Sequence, residues 1–184
     1  MDEFYKLEKS PDVLLDELME KYGTKVLRLV YFFVKDQSIA EDITQEVFLK
    51  VFRRIDTFRG DSAIQTWIYQ IAVNESKGYL RSWSFRKIFP SWDLQRESET
   101  TVETEAMQRV DKETIVHQVL KLPAVYRQII ALHYYADMSI EEVALVLQVS
   151  QGTVRTRLHR ARQKLRGHLE KEGITWTSRD SYRN

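Results

Sequence analysis

Between Ser150 and Leu169 the chain carries six cations, Arg155, Arg157, Arg160, Arg162, Lys164 and Arg166, and no acid. An apolar repeat at Val154, Leu158, Ala161, Leu165 and Leu169 runs through the same stretch and describes one side of a helix. Thr153, Arg155, Thr156, Arg157, His159 and Arg160 then face outward. Such a surface can hold phosphate oxygens and pair a guanidinium with guanine in a major groove. A solvated basic face is the plainer explanation. Against it, like charges with no counter-charge repel one another along a helix.

A second set of polar residues lies near the other end of the chain. The spacing from Ser38 to Ile55 buries Ile43, Val47, Val51 and Ile55, and it leaves Asp42, Gln45, Glu46 and Leu49 on an adjoining face. An acidic and amide patch beside an exposed leucine fits a protein contact, although ordinary solvated charges give the same pattern. The chemistry of small-molecule sites is missing. There is no cysteine, so disulfides, thiolate metal sites and a cysteine nucleophile are excluded. The four histidines are scattered, and no phosphate-binding glycine loop or nucleophile elbow occurs. We therefore expect no enzyme, no cofactor, no metal and no small-molecule substrate.

The elements that position these groups are helical. Six glycines and three prolines in 184 residues leave few breaks. Apolar residues recur at three- and four-residue steps from Val13 to Val34. A second helix is expected from about Ser38 to Ile55, with Ser38 as its cap and Glu41 completing a capping box. The residues Phe58-Arg59-Gly60-Asp61-Ser62 read as a turn, and a third helix follows from Ser62 or Ala63 to about Leu80.

Residues 82–93 are basic and aromatic (Trp83, Phe85, Phe89, Trp92). Residues 94–105 are rich in Glu, Thr and Ser (Glu97, Glu99, Glu103, Glu105) and too poor in apolar groups to offset the entropy of ordering. This divides the chain into a domain at 10–81, a linker at 82–109, a second domain at 110–170 and a polar tail at 171–184. The second domain begins with Ile115, Val119 and Leu122 on one face. A helix from Ala124 to Tyr135 follows, then one from Ser139, boxed with Glu142, to Leu147. After a break at Gln148-Val149-Ser150, a long helix runs from Gln151. A short helix, a three-residue break and a basic helix form a helix-turn-helix, here with Gln148 where glycine is common in the turn. The fold class is all-α, as two small helical domains on a flexible linker.

Charge follows that division. Residues 1–81 hold 12 Lys and Arg against 14 Asp and Glu, whereas residues 111–184 hold 12 against 8. A polyanion would be drawn to the carboxyl-terminal domain. No run of eighteen apolar residues is present, and the first thirty residues carry too many acids for a signal peptide, so a cytoplasmic protein is expected.

Residues 40–81 (AEDITQEVFLKVFRRIDTFRGDSAIQTWIYQIAVNESKGYLR) and 122–166 (LPAVYRQIIALHYYADMSIEEVALVLQVSQGTVRTRLHRARQKLR) resemble the two conserved domains of extracytoplasmic-function sigma factors of bacterial RNA polymerase, in the family's order. The resemblance implies a promoter-specificity factor for transcription initiation. Asp42, Gln45 and Glu46 match the patch that docks on core RNA polymerase, with Leu49 and Arg53 flanking it. Phe58, Arg59, Gly60, Asp61, Ser62 and Ala63 match the loop that receives a base flipped from the −10 element. Asn74 matches a position near that pocket, with Trp67 and Tyr69 on the helix behind it as core packing or DNA contacts. Arg54 stands where relatives often carry a small residue. Ser150, Thr153, Arg155, Arg157 and Arg160 match the helix that reads the −35 element as duplex promoter DNA. An anti-sigma factor, membrane-anchored in many relatives and tied to stress responses, is the further partner implied.

Two rivals explain less. A conventional helix-turn-helix regulator with an amino-terminal sensing or dimerisation domain accounts for residues 139–169 only. A helical nucleotide hydrolase would need Glu41, Asp42 and Glu46 as metal ligands, with further acids on a facing helix, where the third helix offers mainly Glu75.

Overall fold

Pro11 opens the first helix, at a position where a missing N–H costs nothing and a fixed φ suits the helix. The structure, a computed structural model, describes residues 10–58, 60, 62–88 and 115–174. Helix α1 spans Pro11–Val34 and stops at Lys35, which takes the left-handed conformation (φ 63°) and returns its N–H to Tyr31 O.

Helix α2, Gln37–Arg54, is capped by Asp36 rather than Ser38. The Asp36 side chain accepts from Ile39 N at 2.9 Å, so Ser38 falls inside the first turn. The expected box partner Glu41 instead accepts from Gln37 Nε2 at 2.7 Å. An aspartate two positions earlier satisfies the same orphan N–H groups, and the serine is left exposed.

Helix α2 passes into a 3₁₀ turn at Ile55–Thr57, closed by Phe58 N–H donating to Ile55 O. This turn leaves Ile55 half-buried, not in the core as its spacing suggested.

Helix α3 runs Ile64–Ile88, well past the end expected near Leu80. After Gly78 the next breaker in the sequence is Pro90, and a proline disfavours helix only from the residue before it. The basic-aromatic segment therefore begins as a continuation of α3, and Trp83 and Phe85 lie on helical backbone. Residues 89–114, with Phe89, Trp92 and the four glutamates of the expected linker, lie outside the described residues. So do Arg59, Asp61 and the tail from 175.

Contacts divide the chain into two compact units. In the first, α1, α2 and α3 pack pairwise. Leu18, Tyr22, Val26, Leu29, Val30 and Phe33 of α1 are buried, as are Ala40, Ile43, Val47, Phe48 and Val51 of α2 and Ile64, Ile68, Tyr69 and Ala72 of α3. Each large apolar side chain so buried contributes about 1.5–3 kcal/mol.

The second unit starts with helical residues 115–120 (α4). Pro123 then opens α5, Ala124–Ile130, which widens into a π-helical turn at Ala131–Tyr135. Arg127, only 6% exposed, donates from Nη1 to Leu122 O at 2.9 Å and so caps the carbonyl end that precedes Pro123. Burial lowers its pKa from the ordinary guanidinium value. Helix α6 spans Ile140–Leu147 and α7 spans Gln151–Lys171, with α5 packed on α7. Val154, Leu158, Ala161, Leu165 and Leu169 of α7 are all buried, which completes the apolar stripe read from the sequence. Every element among the described residues is helical, and the all-α expectation holds.

Candidate nucleic-acid and protein interfaces

Ser139 and Glu142 form the reciprocal box at the start of α6. Glu142 N–H donates to Ser139 Oγ at 3.2 Å, and Ser139 N–H donates to Glu142 Oε2 at 2.9 Å. The helix ends in a Schellman turn in which Val149 N donates to Ala144 O (3.0 Å) and Gln148 N to Leu145 O (3.2 Å). That motif needs a left-handed residue, and Gln148 supplies it with φ 58°. The turn therefore keeps its geometry without glycine, at a steric cost on the order of 1 kcal/mol.

Ser150 then caps α7. Its Oγ accepts from Thr153 N at 3.1 Å and lies 2.9 Å from Thr153 Oγ1, so both hydroxyls are engaged at the helix amino end. These hydroxyls order the amino end of α7, where the first-turn N–H groups lie.

The six cations of α7 fall into two groups. Arg155 and Arg160 are exposed and Arg157 half-exposed, and Arg155 Nη2 donates to Gln151 Oε1 at 3.2 Å on its own helix. The other three have partners further on. Arg162 Nε donates to Tyr134 Oη at 2.7 Å, with its guanidinium carbon 5.7 Å from that ring centre. Lys164 Nζ lies 6.0 Å from the Tyr126 ring centre, and Arg166 Nε is 3.5 Å from Glu170 Oε1. Within the acid-free run Arg162 is thus tied to another element, whereas Lys164 and Arg166 stay exposed beside their partners, as Arg155 and Arg160 do. The π turn that carries Tyr134 left no sign in the sequence, whereas Tyr126 and Glu170 were visible there.

On α2, at about 100° per residue, Asp42, Gln45, Glu46, Leu49 and Arg53 share one stripe, and all five are exposed. Leu49 is 45% exposed, and Phe52, beside it, 37%. Sequence reasoning passed over Phe52, although an aromatic three residues after an exposed leucine was available as a signal. Ile43, Val47 and Val51 are buried on the opposite side, so this stripe faces away from the packing of the unit.

Between α2 and α3, Thr57 Oγ1 donates to Arg54 O at 2.6 Å, and the Phe58 ring packs on Trp67 with centroids 5.3 Å apart and planes at 44°. Gly60, with φ 75°, turns the loop where a Cβ would be strained. Ser62 Oγ donates weakly to Ala63 O (3.5 Å), and Ala63 O accepts from Trp67 N, opening α3. Trp67 is half-buried and Asn74 exposed, whereas Tyr69 is fully buried and belongs to the core. Lys50 Nζ meets Glu75 Oε2 at 2.6 Å, an interhelix pair that spacing did not reveal. Of the loop residues, Arg59 and Asp61 lie outside the described set.

Among the described residues no group of three His, Asp or Glu side chains could hold a metal ion, so Glu41, Asp42, Glu46 and Glu75 do not assemble as the hydrolase reading required. No described helix is long and apolar enough to cross a membrane.

Comparison with known proteins identifies the family to which both units belong. The family model Sigma-70 region 2 matches residues 18–85, and Sigma-70, region 4 matches residues 112–165. The chain is 37% identical over 162 residues to the RNA polymerase sigma-H factor of Pseudomonas aeruginosa, covering 82% of this chain and 83% of that protein. It is 32% identical over 172 residues to the ECF RNA polymerase sigma-E factor of Escherichia coli, covering 87% and 88%. Among solved structures, the sigma factor RpoE of Bartonella quintana in complex with the anti-sigma factor NepR superposes with a TM-score of 0.69 at 22% identity, covering 84% of this chain and 95% of that one. CnrH in complex with the cytosolic domain of CnrY gives 0.62 at 22% identity, covering 86% and 88%. At that identity the two structures speak for the fold alone.

Proposed function

Because the chain belongs to the sigma-70 family, as an extracytoplasmic-function sigma factor that binds core RNA polymerase and promoter DNA, we propose how its parts divide the work. Residues 10–81 dock on core polymerase and engage melted −10 DNA, and residues 110–170 read the −35 element as duplex. Residues 82–109 link them. The observation that carries this division is that one chain exposes both the Asp42–Gln45–Glu46–Leu49 stripe on α2 and the Arg155–Arg157–Arg160 half of α7.

The side chains are consistent with each role. The α2 stripe offers acceptors and an amide beside Leu49 and Phe52, which suits a partner surface with cations around an apolar centre. Arg53 flanks that contact. Phe58, Arg59, Gly60, Asp61, Ser62 and Ala63 are the residues assigned to receive the flipped base, with Asn74 on α3 assigned to the same task. Unstacking a base costs a few kcal/mol, and stacking on an aromatic ring returns about 1–3 kcal/mol. Trp67, half-exposed against Phe58, is placed to support such a base. On α7, Ser150 and Thr153 orient the helix start, Arg155, Arg157 and Arg160 supply phosphate and base contacts, and Thr156 lies among them.

In this reading the protein has no catalytic activity of its own and works in the cytoplasm. The solved complexes of RpoE with the anti-sigma factor NepR and of CnrH with the cytosolic domain of CnrY support an anti-sigma factor as a further partner here, with membrane anchoring of that factor as one way to hold the protein inactive. A conventional helix-turn-helix regulator accounts for α6 and α7 but leaves the α2 stripe and the region 2 match without a role.

The deciding experiment measures binding to core RNA polymerase by the whole chain and by an Asp42→Ala/Gln45→Ala/Glu46→Ala variant. Binding in about the nanomolar range that the variant loses is the expected result. Equal binding by both proteins would remove the docking role assigned to α2.

A further inference from the structure

On the outward side of α7 one hydroxyl is already engaged. Thr156 is exposed and stands two residues from each of the buried Val154 and Leu158, about 200° around the helix from both, so it points away from the core. Its Oγ1 donates to Gly152 O at 3.0 Å, one turn earlier on the same helix. A hydroxyl has a single proton to donate, and this one is committed to the backbone. What Thr156 can still present outward is its methyl group and the hydroxyl lone pairs. A helical side chain lies over the turn before its own Cα, and the turn that Thr156 covers is that of Gly152, which is exposed and carries no side chain. A Cβ at Gly152 would meet no side chain but Ser150 Oγ, at 3.8 Å, an ordinary contact. Positive φ is confined to Gly60 and Gly173 among the described glycines, so neither sterics nor backbone conformation requires glycine at 152. Alanine there would be the better helix former.

We infer that Thr156 is a specificity-determining residue that reads the 5-methyl group of one thymine in the major groove, with Gly152 letting that base pair approach the helix closely. The inference rests on the reading that the first turns of α7 enter duplex DNA at the −35 element. Guanine N7 and O6, adenine N7 and thymine O4 are all acceptors, and each needs a donor that Thr156 no longer has free. Thymine alone adds a methyl, which a threonine methyl can contact. The exposed Arg155 and Arg160 on α7 remain the donors for guanine and for phosphate. A hydroxyl lone pair would instead select an amino group, cytosine N4 or adenine N6, and valine and serine at position 156 tell the two apart.

The test presents holoenzyme, reconstituted from the full chain and core polymerase, with fragments whose −10 segment is held open by mismatches and whose upstream duplex is randomised. Bound fragments are sequenced. The preferred duplex is then remade with deoxyuridine in place of each thymine in turn, which removes the methyl and leaves O4 and the pairing intact. We expect one replacement to weaken wild-type binding about fourfold, the size expected for one buried methyl. Thr156→Val should show the same loss, whereas Thr156→Ser, which keeps the hydroxyl, should bind both duplexes alike. Gly152→Ala should bind more weakly than wild type with its Tm unchanged or raised, a combination that a purely structural glycine does not give. Indifference of wild type to every replacement, or a Thr156→Ser variant that keeps the wild-type ratio, would overturn the methyl contact. So would a loss of affinity in Thr156→Val that Thr156→Ser escapes, since the hydroxyl would then be the group read. Wild-type binding by Gly152→Ala would overturn the close approach. In each of these cases a duplex preference in the wild type leaves the reading of α7 standing. Absence of any upstream sequence preference in the wild type would instead overturn that reading, and this inference with it.

Discussion

Arg162 on α7 donates from Nε to Tyr134 Oη at 2.7 Å, which binds that helix to the π-helical turn preceding α6. With its guanidinium also 5.7 Å from the tyrosine ring centre, this cation is held by two features of one side chain. It sits only two residues beyond Arg160, which is exposed. Along α7 the boundary between the exposed Arg160 and the first cation tied to another element therefore lies between Arg160 and Arg162.

Substitutions on the two sides of that boundary should separate cleanly. Arg155→Ala, Arg157→Ala or Arg160→Ala should each weaken DNA binding. One that contacts phosphate should lower the salt-dependence slope by about one unit, and one that contacts a base should relax sequence preference by about 1–3 kcal/mol at a single position. Arg162→Ala should instead lower the unfolding free energy by about 1–2 kcal/mol with a smaller change in the salt slope. Fluorescence anisotropy over a salt series, beside urea denaturation, checks this. An Arg162→Ala slope change equal to that of the other three would contradict it.

The cap of α2 can be identified by a pair of serine and aspartate changes. Asp36→Ala should cost about 1 kcal/mol because it frees the Ile39 N–H. Ser38→Ala, in an exposed first-turn position, should stay within about 0.5 kcal/mol of wild type. Urea unfolding followed by circular dichroism distinguishes them, and the reverse ranking would restore Ser38 as the cap.

At the turn before α7, Gln148→Gly should stabilise the protein by about 0.5–1 kcal/mol, since glycine occupies φ 58° without a Cβ clash. A β-branched residue there should do the opposite. Thermal melting of Gln148→Gly and Gln148→Val gives the sign directly, and a lower Tm for the glycine variant would show that the glutamine side chain contributes more than its strain removes.

Leu158 lies on the buried stripe of α7, two residues from each of the exposed Thr156 and Arg160 and so on the opposite side of the helix. Leu158→Ala should cost about 2–5 kcal/mol through lost transfer and a residual cavity. Its effect on DNA binding should follow the fraction unfolded, so that lowering the temperature restores binding. Reduced binding at temperatures where circular dichroism reports a fully folded variant would give Leu158 a direct part in the contact.

Much of this architecture was legible in the residues. The Val154–Leu169 stripe, the Ser139–Glu142 box and the break at Gln148–Ser150 are local patterns, fixed by one turn of helix or one loop, and the structure reproduces them. The exposed stripe at Asp42, Gln45, Glu46 and Leu49 followed from periodicity alone. The misreadings came where two local solutions compete or where tertiary contacts decide. Asp36 and Ser38 are both good caps, and only the direction of entry from Lys35 selects between them. Helix α3 ran on to Ile88 because polar and aromatic residues do not themselves end a helix. The division of the α7 cations depends on Tyr126 and Tyr134, which lie 38 and 28 residues before their partners Lys164 and Arg162. The Lys50–Glu75 pair likewise joins helices whose packing geometry no periodicity reports.

Helix α7 is 21 residues long, about 31 Å, whereas a major groove is about 12 Å wide. In the proposed role only its first turns enter DNA, and the rest serves as the beam on which the second unit packs. For evolution this is a useful arrangement. In the proposed role, Arg155, Thr156 and Arg160 can change toward a new promoter without disturbing Leu165 or Leu169. Retargeting such a protein to different genes thus requires rewriting a few exposed letters and no new fold.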